Sequence, residues 1–94
     1  FEGALDLLFF PAFDPSAFRT VFIDVEYRDE ANHYFREERL RIAGDSREEA
    51  RLHLALLNPK QRSYRYRLTF VDANGKIRSK AWVDTAETLI SVTE

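Results

Sequence analysis

Cysteine is missing from this sequence, and so is methionine, even at position 1. Without cysteine there is no disulfide, no thiolate nucleophile and no sulfur ligand for a metal, although the compartment stays open. A chain that starts at Phe1 is expected to be a processed product or a piece excised from a larger, multidomain protein. The three glycines are scattered as Gly3, Gly44 and Gly75, which excludes a glycine-rich phosphate loop. Histidine occurs only as His33 and His53, neither with a partner at the spacing of a metal site. No apolar run approaches the ~18 residues of a membrane helix. Ala4 to Phe10 is too short for a signal-peptide core and lacks a basic flank. The net charge of −2 supplies no general attraction to nucleic acid or to a membrane surface.

What is present is the composition of an ordinary folded domain, 45% hydrophobic and 32% charged. Ninety-four residues make one domain, spanning 1–94, large enough to bury a core unaided. Ala4 to Phe10 reads as a short strand at an edge, ended by Pro11, and Asp14-Pro15-Ser16 is turn chemistry. Val21, Ile23, Val25 and Tyr27 alternate with Phe22, Asp24, Glu26 and Arg28, the two-residue period of a strand. Asp29 to Asn32 closes it and Tyr34 to Ile42 returns. That return carries Arg36 and Glu38 on its apolar side, which predicts a bulge or an edge position. Thr88 to Val92 is a short final strand.

The richest stretch runs from Leu56 to Glu87. Tyr64, Tyr66, Leu68 and Phe70 fall on one side of a strand, with Arg65, Arg67, Thr69 and Val71 on the other. Asn74-Gly75 predicts a hairpin with a primed two-residue turn. That loop would pair Tyr66 with Val83, Leu68 with Ala81 and Arg67 with Trp82. A four-residue loop over Asp72 to Gly75 would slide the register by two and keep every face. In both cases Ile77, Ser79, Ala81 and Val83 join the apolar face and Lys76, Arg78, Lys80 and Trp82 the basic one.

Leu57-Asn58-Pro59, Tyr64-Arg65-Tyr66-Arg67-Leu68 and Val71-Asp72-Ala73-Asn74-Gly75 together resemble the E–F turn, F strand and F–G turn of fibronectin type III-like modules. The resemblance covers the C-terminal third to half of the chain. It implies an all-β, immunoglobulin-like antiparallel β-sandwich of about seven strands, and the adhesive or spacer role of a repeated unit. An extracellular or cell-surface location follows from that analogy alone. None of the family's binding residues carries over, because no Arg-Gly-Asp motif is present.

Ser46 to Leu57 admits two readings. Ser46 and Glu49 have capping-box spacing before a run of good helix formers. Against that, Leu52, Leu54 and Leu56 alternate with Arg51, His53 and Ala55, which favours a strand from about Arg51 to Leu57. A helix there would make the fold α+β.

Catalytic patterns are absent. Glu37-Glu38 and Glu48-Glu49 are adjacent, so in strands they point to opposite faces. Asp72-Ala73-Asn74-Gly75 lacks the flanking carboxylates of a calcium loop. No serine sits in a nucleophile elbow. The expectation is therefore a non-catalytic module without metal or cofactor. Its surface of interest is the set Trp82, Arg65, Arg67, Arg78 and Lys80. As a ligand platform it would make the domain a carbohydrate-binding accessory module for an acidic glycan. As a structural surface, arginine stems cover the indole. As a contact, Trp82 anchors a neighbouring domain or another protein. Phe9, Phe10, Phe13 and Phe18 are too many for one edge strand and are expected under the open end of the sandwich or against a preceding module.

Overall fold

Two-residue alternation of apolar side chains governs the fold from end to end. The structure, a computed structural model, describes residues 1–94. Its strands are β1 (Gly3–Pro11), β2 (Phe18–Asp29), β3 (Tyr34–Ala43), β4 (Ala50–Leu56), β5 (Tyr64–Asp72), β6 (Ile77–Ser79), β7 (Val83–Thr85) and β8 (Leu89–Val92). A 3-10 turn over Glu30–Asn32 joins β2 to β3, with His33 left-handed at φ 52°. One sheet has the order β4-β1-β8; the other has the order β3-β2-β5-β6, with β7 also paired to β5. All pairings are antiparallel except that of β1 with β8.

The core is the sum of the inward-facing residues. Leu5, Leu7 and Phe9 of β1 meet Val21, Ile23, Val25 and Tyr27 of β2, with Leu54, Leu56, Leu68, Phe70, Ile90 and Val92 around them, all buried. Tyr66 and Leu52 pack against this cluster from its margin. Ala50–Leu56 is a strand, so alternation prevails over helix propensity; all three leucines face inward only in the extended form. Phe13 and Phe18 join Phe70 in one aromatic group, and Phe9 stacks edge-on with Tyr66.

Several expectations need correction. Strand β1 is the centre of its sheet, not an edge, so Phe9 is buried by strands on both sides. The sandwich is not wholly antiparallel, because the last strand lies parallel to the first. The turn after β5 is not primed: Gly75 has φ 86° while Asn74 does not enter positive φ. Gly75 N–H donates to Asp72 O and Asp72 N–H to Lys76 O, which leaves a three-residue loop, Ala73-Asn74-Gly75.

An odd loop flips the return strand. Phe70 therefore faces Arg78, Thr69 faces Ser79 and Val71 faces Ile77. Beyond Ser79 a one-residue irregularity over Lys80 to Trp82 flips it back, so Tyr66 does pair with Val83 and Arg65 with Asp84. Leu68 O accepts from Lys80 N–H, at 2.9 Å, so the expected Leu68–Ala81 pair does not form.

Strand β3 is an edge, as its inward Arg36 and Glu38 require; they neutralise each other at 2.9 Å. Gly44, after β3, donates its N–H to Arg19 O at 2.9 Å. A Cβ on Gly44 would lie 1.9 Å from Phe18 O. The β2–β5 register shifts between Phe18 and Thr20, and this bulge is what the bare glycine backbone packs against.

Candidate functional site

The outward faces of β2, β3 and β5 build the best-organised polar surface. Phe22, Asp24, Glu26 and Arg28 alternate outward on β2, and antiparallel pairing sets Asp24 opposite both Arg67 and Arg39, and Glu26 opposite Arg65. Each juxtaposition becomes an ion pair. Arg39 Nε donates to Asp24 Oδ1 at 2.8 Å and Arg67 donates to Asp24 Oδ2 at 3.1 Å. Arg65 Nε donates to Glu26 Oε1 at 2.6 Å.

Trp82 lies over this ladder, half-buried. The Arg65 guanidinium carbon stands 4.2 Å and that of Arg67 4.8 Å from the indole centroid. Arg67 Nε is buried without a hydrogen-bond partner, and the indole face beside it offsets that cost. Two further arginine–aromatic stacks complete the face, Arg39 on Phe22 at 4.6 Å and Arg28 on Phe35 at 4.5 Å. Each contact is worth about 0.5–1 kcal/mol at an exposed site, so the value of the ladder lies in its linkage. The hydrogen bond from Arg39, opposed by partial burial and assisted by Arg67, holds the Asp24 carboxyl below the usual carboxylate range.

The residues singled out in the sequence therefore divide. Trp82, Arg65 and Arg67 come together. Arg78 does not: its partner Phe70 is an inward residue, and Arg78 borders the small cleft of Phe18, Phe70, Asp72 and Lys76. Lys80 turns away at the irregularity and donates its Nζ to Thr93 O beside the other sheet. The two cations that stay with the indole are already paired with carboxylates. Asp24 and Glu26 were not singled out in the sequence. Their alternation was visible, but which strand lies beside β2 was not.

Three tyrosine hydroxyls tie one sheet to the other or to the loops that cross between them. Tyr64 OH donates to Glu87 O at 2.5 Å, Tyr27 OH to Gln61 O at 2.7 Å and Tyr34 OH to Ala55 O at 2.8 Å. Burial, with Tyr66 and Glu87 nearby, pushes the Tyr64 hydroxyl well above the ordinary tyrosine value. His53 is exposed on the outer face of β4 and meets Asp6 at 2.6 Å. No group of three His, Cys, Asp or Glu residues stands close enough to hold a metal ion. No helix is long and apolar enough to cross a membrane.

Compared with protein-family models, with curated proteins and with solved structures, the chain gives no match.

Proposed function

We propose that this chain is a non-catalytic structural and protein-interaction module of a larger protein, an immunoglobulin-like sandwich that acts as an in-line spacer. The observation that carries the reading is the parallel pairing of the first strand with the last. At ~3.3 Å per residue, nine-residue β1 spans about 30 Å, which fits only along the longest of the 44 × 21 × 15 Å extents. Because β8 runs the same way as β1, the chain enters at one end of that axis and leaves at the other.

Strand order supports the immunoglobulin-like part. The sheet β3-β2-β5-β6/β7 follows the C′-C-F-G order of such sandwiches, and β4-β1 follows E-B. On that correspondence β4, β5 and β6/β7 are E, F and G, as the resemblance implies. Strand β8 takes the place beside B where the family carries an antiparallel A strand. The carbohydrate-binding alternative loses support on the Trp82 face, where the cations are divided and the remaining two are neutralised.

Tandem fusions of two and three copies, measured by small-angle X-ray scattering, test the spacer reading. Each added copy should lengthen the maximum dimension by about the 44 Å long axis. An increment near the 21 Å width would refute it, because the copies would then lie side by side.

A further inference from the structure

Strand β6 is exposed on both of its faces. Ile77, Arg78 and Ser79 all face solvent, whereas β5 opposite them buries Leu68, Thr69 and Phe70. A strand with no buried face specifies its register weakly, because a one-residue slip exchanges its faces without uncovering a core. Strand β6 also ends its sheet, so no further strand has to follow such a slip.

Its observed register sets side chains against their preferences. Ile77 stands on the outer face with 67% of its surface exposed. Arg78, the next residue, takes the inward side and borders a cleft of about 120 Å³ floored by Phe18 and Phe70. Strand β7 follows a different register. Its pairs Tyr66–Val83 and Arg65–Asp84, continued unbroken toward the turn, would give Arg67–Trp82, Leu68–Ala81, Phe70–Ser79 and Asp72–Ile77. Such a strand closes on the two-residue turn Asn74-Gly75. The extra loop residue and the irregularity at Lys80 to Trp82 then cancel, and both disappear. Gly75 already stands at φ 86°, so only Asn74 has to enter positive φ, a region that asparagine tolerates.

The two registers hold different interactions. The observed one has the Thr69–Ser79 hydroxyl bond at 2.8 Å and the Lys80 Nζ bond to Thr93 O. Asp72 Oδ1 also accepts there from the Asn74 and Lys76 N–H groups, each at 2.9 Å. The slipped one turns Ile77 inward over the Phe18–Phe70 cleft and restores an unbroken ladder. We infer that Lys76 to Trp82 exchanges between these two registers, a switch that moves Arg78 and Lys80 onto the Trp82 face and Ile77 off it. The slipped register is the minor one, at about 1–10% of molecules. Every other strand stays in place, since the pairs from Tyr66–Val83 onward belong to both forms. The inference goes beyond the spacer reading and does not depend on it, because the slip leaves the long axis unchanged.

The cysteine-free sequence permits a direct test with introduced cysteine pairs. Leu68 O accepts from Lys80 N–H, so odd-numbered β5 residues occupy the non-hydrogen-bonded positions, whose close approach suits a disulfide. Val71→Cys with Ile77→Cys reports the observed register. Val71→Cys with Arg78→Cys, and Thr69→Cys with Lys80→Cys, report the slipped one. In the observed register the members of each of these two pairs leave opposite faces of the sheet and cannot be bridged. Val71→Cys with Lys80→Cys is matched in neither register and measures fraying. In a glutathione redox buffer the slipped-register pairs should close about 10–100-fold less readily than the observed-register pair, and about tenfold more readily than the fraying control. Asn74→Gly should raise closure of both slipped-register pairs and Asn74→Val should lower it, since only the slipped turn needs positive φ there. Chemical-exchange saturation NMR of the unmodified domain covers the case of a cysteine variant that does not fold: a second state confined to residues 72–82 is expected. Slipped-register pairs that close no more than the control, closure indifferent to residue 74, or the absence of that second state would each overturn the inference.

Discussion

Replacing Gly44 by alanine is the sharpest test of how the end of β3 is seated against the β2 bulge within their shared sheet. Gly44 has no left-handed φ, so the penalty is one of space and not of torsion. The new Cβ would fall 1.9 Å from Phe18 O and 3.0 Å from Arg19 O, both backbone atoms that cannot rotate away. Relief requires the β3 end to retreat by more than 1 Å, at about 1–3 kcal/mol for forced overpacking. That retreat also breaks the Gly44 N–H bond to Arg19 O, a further ~1 kcal/mol. The sum is a loss of roughly 2–4 kcal/mol out of the ~5–15 kcal/mol typical of a domain. For a chain of this length it corresponds to a melting temperature lower by roughly 10–25 °C. Urea unfolding should show the midpoint falling with the slope unchanged. Gly3→Ala is the control, since its Cβ would meet only the Pro59 side chain and backbone at 3.1 and 3.5 Å. A Gly44→Ala variant within about 0.5 kcal/mol of the parent would refute the close-approach argument.

Two further outcomes are expected. Gly75→Val should destabilise the domain more than Ala73→Val by about 1–2 kcal/mol, because only Gly75 occupies positive φ; equal midpoints in urea would mean the loop rearranges freely. Asp24 has a folded pKa below its unfolded one, so its stabilisation is present above the unfolded value and is lost as pH falls through the folded one. Stability should stay level above about pH 5 and fall below about pH 4. Asp24→Asn should make that acid slope shallower, and an unchanged slope would show that its ion pairs with Arg39 and Arg67 contribute nothing.

Alternation made the strands legible in the sequence, because burial on one face of a pleated chain has period two. It resolved Ala50–Leu56 as a strand against its helix propensity, and it marked β3 as an edge through Arg36 and Glu38. Pairing was less legible. The three-residue loop and the irregularity at Lys80 to Trp82 each shift parity by one, and neither leaves a mark in the alternation on one strand alone. Their shifts cancel by Val83, which pairs with Tyr66 as expected and leaves the Trp82 ring against the Arg67 guanidinium, but not at Arg78, which lies between them. The partners of Arg65 and Arg67 were hidden for another reason. Asp24 and Glu26 are some forty residues away in the chain, and only strand order brings them alongside.

The pairing of β1 with β8 has a mechanical consequence. Tension applied across the two ends of the domain pulls β1 and β8 in opposite directions along their common axis. Their hydrogen bonds, over the register from Leu8–Leu89 to Pro11–Val92, are then loaded in shear and share the force. Strands peeled apart from one end would release their bonds one at a time at much lower force. A four-pair clamp between the first and last strands therefore makes the domain resist stretching along the one direction in which a chain of such modules would be pulled.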